Sequence, residues 1–153
     1  YRSSSMISTS KSVRRQDQTG QAVVEALLVL MLLVLVIFSG FELSRGIALR
    51  QALDSGAGIA VRALSLDPSQ WAIASQILQQ AVDQHVVGGQ SGINLQVYDT
   101  GGNPRNEAWL SGSPFGTTFI LEASAPFQAD IPFLLNPGIT IRVRHWGIVE
   151  RYP

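Results

Sequence analysis

Cysteine is missing from the 153 residues, which excludes disulfides, thiolate metal sites and a cysteine nucleophile. Histidine is scarce as well: His85 and His145 stand far apart, and the carboxylates are scattered along the chain. No nucleophile–base pair, no metal-ligand spacing and no glycine-rich phosphate loop after a strand can be picked out. The pattern points away from an enzyme, a metal, a cofactor and a small-molecule substrate, and towards a structural or binding role. An excess of either charge is also lacking. Eleven Lys and Arg balance eleven Asp and Glu, for a formal net charge of +0, so nucleic acid is not an expected partner. Charged residues make up only 14% of the chain against 46% hydrophobic, and the apolar surplus is concentrated in one place.

That place is residues 22–41, where Leu, Val, Ile, Met and Phe are interrupted only by Glu25, Ser39 and Gly40. About 20 helical residues cover roughly 30 Å of hydrocarbon, so the run is long enough to span a bilayer. It is apolar all round, and the remaining chain is too short to wrap such a helix on every side as a buried core element. Lys11, Arg14 and Arg15 precede the run, while Arg45 and Arg50 follow it interleaved with Glu42 and Asp54. That bias places the N-terminus in the cytoplasm. A secretory signal peptide shares the basic head. The apolar core here exceeds the usual length of about 7–15 residues, however, and no small-x-small cleavage site follows it.

Glu25 is the anomaly. A charge inside a transmembrane helix costs about 2.5–3.5 kcal/mol on insertion scales and calls for a named partner. One reading is that it snorkels to the nearby interface. The other comes from its position: Gly20, then Gln21, Ala22, Val23 and Val24, then Glu25, at the boundary between a basic leader and a long apolar helix. In this the chain resembles proteins processed by prepilin peptidase. The resemblance implies removal of the leader after Gly20, Gln21 as the new N-terminus, and Glu25 as a carboxylate that pairs with the freed amino group of a neighbouring subunit. Met6 would give a leader of ordinary length, with residues 1–5 as an upstream extension.

Beyond the apolar run, residues 42–65 keep a helical pattern, with Leu49, Leu53, Ala57, Ala60 and Leu64 on one face. Gly46, Gly56 and Gly58 each cost about 1 kcal/mol relative to alanine in a helix. Either the helix kinks or melts near Asp54–Gly58, or the small residues allow close packing against another helix. Asp67, Pro68 and Gln70 read as an N-cap, a first helical position and a reach-back residue. The helix they open presents Trp71, Ala74, Ile77, Leu78, Ala81, Val82 and His85, and Gly88 and Gly89 end it. His85 reads as an edge residue of that stripe. From residue 92 the period changes to two. Residues 93–99, 117–125 and 139–152 read as three antiparallel strands. In the last, Ile139, Ile141, Val143 and His145 face the core, His145 as a satisfied core histidine. Arg142 and Arg144 face out, and with Trp146 they form the patch best suited to a partner contact.

A long N-terminal helix, a short helix and a small antiparallel sheet of about three strands make an α+β fold of pilin type. The stretch from "GQAVVEALLVL" to "GIAVRAL" and the end "APFQADIPFLLNPGITIRVRHWGIVERYP" carry a resemblance to the TadE-like minor pilins of tight-adherence pilus systems that covers most of residues 14–70 and 118–153. An aromatic often follows the glutamate in the main pilins of these systems, whereas Ala26 stands here, and the chain is much longer than those subunits. Both departures favour a minor, pseudopilin-like role. The resemblance implies a division into leader (1–20), transmembrane helix (21–41), external helix (42–66) and exported α+β domain (67–153). It further implies residence in the cytoplasmic membrane with the C-terminal domain exported, incorporation in a surface pilus being left open. The implied partners are membrane lipid, prepilin peptidase, other pilin or pseudopilin subunits and the assembly platform. A pseudopilin of a type II secretion system, and a signal-anchored protein with an external binding domain, are the alternatives.

Overall fold

A computed structural model describes residues 10–86, 90–132 and 138–150, with side chains from Gly20 onward. The elements are α1 (Ser10–Leu66), α2 (Trp71–His85), β1 (Asn94–Tyr98), β2 (Pro104–Arg105), α3 (Glu107–Ser111), β3 (Thr118–Gln128) and β4 (Gly138–Ile148). The strands form one antiparallel sheet in the order β2-β1-β3-β4. This is the expected α+β architecture, with one strand more than the three expected. Contacts divide the chain into two units, Tyr1–Gly40 and Phe41–Pro153, and α1 contributes to both.

Among the described residues of the first unit, α1 has no fully buried side chain. Leu28, Leu32 and Val36 are 63%, 63% and 62% exposed, and the apolar side chains point in every direction around the helix. The segment is long and apolar enough to cross a membrane.

In the second unit α1 becomes one-sided. Leu49, Leu53, Ala57, Ala60 and Leu64, the face expected from their spacing, are fully buried. They meet Ala74, Leu78 and Val82 of α2 and the inward face of the sheet, where Phe119, Leu121, Ala123 and Ala125 alternate along β3. The helix runs unbroken through its glycines. A Cβ on Gly56 would lie 2.9 Å from Ala81 Cβ and 3.0 Å from Leu78 Cδ1, so the missing side chain is what lets α1 and α2 approach. Of the two readings open in the sequence, close packing is the one realised. Gly147 does the same within the sheet. Any side chain there would overlap the ring of Phe119, the largest fully buried residue.

Some details differ from the expectations. Asp67 does not cap α2, which begins at Trp71 with Gln70 as its N-cap. The Asp67 carboxylate instead accepts from Ser69 N (3.1 Å), Ser69 Oγ (2.6 Å) and Gln70 Nε2 (2.9 Å), closing the turn that joins the two helices. Asp bonding to its own chain two residues on is the competing geometry of this residue, and here it wins over capping. Gly88 and Gly89 lie outside the described residues. His85 is exposed at the end of its stripe, its Nδ1 2.8 Å from Ala81 O. In β4, Val143 is buried and Ile141 half-buried as expected. Ile139 shares their parity but is 56% exposed, because it lies at the strand's start, outside both core clusters. His145 turns inward and is satisfied, with Nε2 3.0 Å from Asp54 Oδ1 on α1, but it remains only half-buried.

Candidate functional site

The residues singled out by sequence fall in two places. Gly20, Gln21 and Glu25 lie on α1, which runs unbroken through the Gly20–Gln21 bond. All three are exposed, and a Cβ on Gly20 would meet nothing within 4 Å. Glu25 has no ion-pair partner among the described residues. It thus stands as a carboxylate on an otherwise apolar cylinder. Lys11, Arg14 and Arg15 fall in the helical backbone of α1, with side chains outside the described residues.

The second place is the outward face of the sheet. Alternation along β4 sends Arg142, Arg144 and Trp146 to the same side, all exposed, so the structure does bring this expected patch together. Arg144 lies directly opposite Glu122 of β3 and donates Nε–H to Glu122 Oε2 at 2.6 Å. Glu122 is 5% exposed, and the Arg144 guanidinium in contact offsets the desolvation of its carboxylate. The same guanidinium lies 5.4 Å from the ring centroid of Tyr98 on β1, a cation–π contact that fixes its orientation. Trp146, opposite Ile120, remains 64% exposed, and Ile148 continues the apolar strip.

A third cluster escaped the sequence reading. The Asp99 carboxylate accepts from Asn103 N (2.9 Å), Asn103 Nδ2 (3.1 Å), Arg105 Nε (3.0 Å) and Arg105 Nη2 (2.7 Å). The backbone and side-chain bonds from Asn103, reinforced by Arg105, hold its pKa down at about 2. Gly102, at φ +79°, supplies the left-handed residue of this turn. Arg105 in turn lies 5.6 Å from the ring centroid of Trp109 on α3, whose N-terminus is capped by Asn106 accepting from Trp109 N at 2.9 Å. The signals were present in "DTGGNPRNEAW": turn residues, then an Asn cap with an acid in the first turn. The cluster stiffens the β1–β2 turn. No group of three or more His, Cys, Asp or Glu able to hold a metal occurs among the described residues.

Residues 20–62 match the family model described as TadE-like protein. The match takes in Gly20, Gln21, Glu25, the apolar run and much of the buried face of α1. No curated protein and no solved structure matches the chain. TadE-like proteins are structural proteins associated with tight-adherence pili. The matched segment includes the part of α1 that is unburied and long and apolar enough to cross a membrane.

Proposed function

We propose that the chain is a minor, pseudopilin-like subunit that takes part in assembling a tight-adherence pilus after prepilin peptidase cuts between Gly20 and Gln21. The observation that carries this reading is Glu25: an exposed carboxylate, unpaired among the described residues, inside the TadE-like segment, five residues past Gly20, where hydrocarbon would surround it. Such a group needs a cation at the same depth. Cutting after Gly20 creates one, the ammonium of Gln21, and a neighbouring processed subunit would carry it to the Glu25 of this one. Pairing then sets the subunits in register, and neither charge is left alone in lipid.

The same geometry gives each remaining part a task. Lys11, Arg14 and Arg15 hold the leader at the cytoplasmic surface, so the chain sits N-terminus in, in the cytoplasmic membrane. Because α1 is helical across the scissile bond, the peptidase has to unwind a turn. Glycine lowers that cost, being about 1 kcal/mol poorer than alanine in a helix. Residues 21–41 are the membrane helix, 42–66 its external continuation, and 67–153 the exported domain that meets other subunits and the assembly platform. The role is packing rather than catalysis.

Deleting the gene in a strain that bears tight-adherence pili is expected to abolish or sharply reduce surface filaments counted by electron microscopy, with recovery on supplying the full chain. Normal filament numbers in the deletion strain would sink the assembly role.

A further inference from the structure

We infer that the free edge of β4 takes an acidic, extended segment of a partner polypeptide as a fifth strand of the sheet. Strand β4 pairs with β3 along its whole length and has no strand on its other side among the described residues. The direction of its backbone groups can be read from the register. Val149 N–H donates to Thr117 O at 2.9 Å, so the odd-numbered residues of β4 bond towards β3, and the even-numbered ones turn their N–H and C=O outward. Two other contacts agree. Pro126, which has no N–H to give, sits on β3 at a position facing away from β4, where its carbonyl accepts from Gln90 Nε2 at 2.6 Å. Glu150, the next even residue after β4, gives its N–H to Ser65 O at the end of α1 (2.7 Å). The edge is therefore closed at that end, and it is open at Arg142, Arg144, Trp146 and Ile148.

Side chains along the edge indicate what would lie there. Between β4 and α1 run two grooves. One, of about 510 Å³, is lined by Ile47, Arg50 and Arg142 among others. The other, of about 450 Å³, is lined by Arg62, Trp146 and Ile148 among others. Asp54 lines the first and Gly58, beside the His145 ring, lines the second, so the Asp54–His145 contact falls between them. Arg50, Arg62 and Arg142 have no ion-pair partner among the described residues. The acids nearby are Asp54, already held by His145, and Glu150 at the closed end. A strand added to an edge gains main-chain hydrogen bonds and reads alternate side chains in pockets. With unpaired arginines in both grooves, the complementary strand alternates acidic and apolar residues. Arginines on an edge also serve to repel stray strands. That protective role and the docking role differ in whether an acidic strand binds.

The partner's membership of a pilus rests on the proposed function, whereas the edge and its charge do not. The test uses the full chain in detergent micelles and two synthetic peptides, Thr-Glu-Val-Glu-Val-Glu-Thr and its counterpart with lysine at each glutamate. Amide hydrogen exchange is followed residue by residue. The acidic peptide is expected to slow exchange at Arg142, Arg144 and Trp146 and to bind at least about tenfold more tightly than the lysine peptide. Arg142→Ala should weaken binding several-fold by removing charge alone. Arg142→Pro, tolerated because that N–H is not used by β3, should abolish protection by removing an edge donor. Unchanged exchange at Phe119 checks that each variant is folded. Equal binding of both peptides, or of neither, overturns the proposal. Protection that rises with protein concentration alone makes a second copy the occupant, and protection by anionic phosphatidylglycerol vesicles but not by peptide makes it a lipid headgroup. Either result overturns it too. All of these leave the pilus reading standing, since no pilus component enters the assay.

Discussion

Replacing Glu25 with alanine is expected to leave the chain fully inserted in the membrane and to stop it from supporting pilus assembly. Insertion should not suffer, because removing a charge from a membrane helix relieves a cost of about 2.5–3.5 kcal/mol. Assembly should suffer heavily. Taking one partner from a buried ion pair costs about 3–5 kcal/mol, since the other charge is left uncompensated. At about 1.4 kcal/mol per factor of ten, that amounts to roughly two to three and a half orders of magnitude in association between subunits. Glu25→Gln separates the terms. It keeps the length and a hydrogen-bonding oxygen but not the charge, so it should fall close to alanine if the ammonium is the partner. Membrane fractionation reads the first half of the prediction, and filament counts in a complemented deletion strain read the second. Full piliation by Glu25→Ala would mean that the carboxylate only snorkels to the interface.

The second large effect lies in the exported domain. Phe119→Ala is expected to cost about 3–5 kcal/mol, the range for deleting a fully buried aromatic. A small domain has about 5–15 kcal/mol in all, so the variant should sit near the edge of folding. Gly147→Ala should be damaging for the complementary reason: its new Cβ would overlap the Phe119 ring, and overpacking of this kind costs about 1–3 kcal/mol. Because the two positions share one volume, their effects cannot add. Phe119→Leu, mild on its own, should recover part of the loss in Gly147→Ala, with a coupling of about 0.5–3 kcal/mol in the double-mutant cycle. Urea unfolding of the full chain in detergent, followed by tryptophan fluorescence, measures all of these. A Gly147→Ala protein within about 0.5 kcal/mol of the parent would show that the ring has room to move.

The long helix and its inner face could be read from the sequence because both rest on periodicity. An unbroken apolar run followed by Leu49, Leu53, Ala57, Ala60 and Leu64 allows few alternatives, and burial of all five follows from the spacing. The parity of β4 was legible for the same reason, and it carried Arg142, Arg144 and Trp146 to one face. What the sequence left undecided was tertiary. Gly56 reads equally as a helix breaker and as a contact, and only Leu78 and Ala81 lying against it decide between them. Asp67 has two local bonding patterns of similar strength, and the turn between α1 and α2 selects the one that does not cap. Strand β2, only two residues long and paired through Val97 and Tyr98, has no period to detect. Glu122 could not be matched to Arg144 without the register that sets them opposite. In the candidate site the spacing of Gly20 and Glu25 was visible from the start. The partner proposed for Glu25 belongs to another subunit, which no single chain displays.

The most direct measurement on the central claim is the intact mass and N-terminal residue of the membrane-extracted chain, produced with and without a prepilin peptidase. The account predicts a chain starting at Gln21 only when the peptidase is present. A chain that keeps its leader beside a correctly processed control prepilin would contradict it, leaving a signal-anchored protein in which Gly20 and Glu25 have no part in assembly.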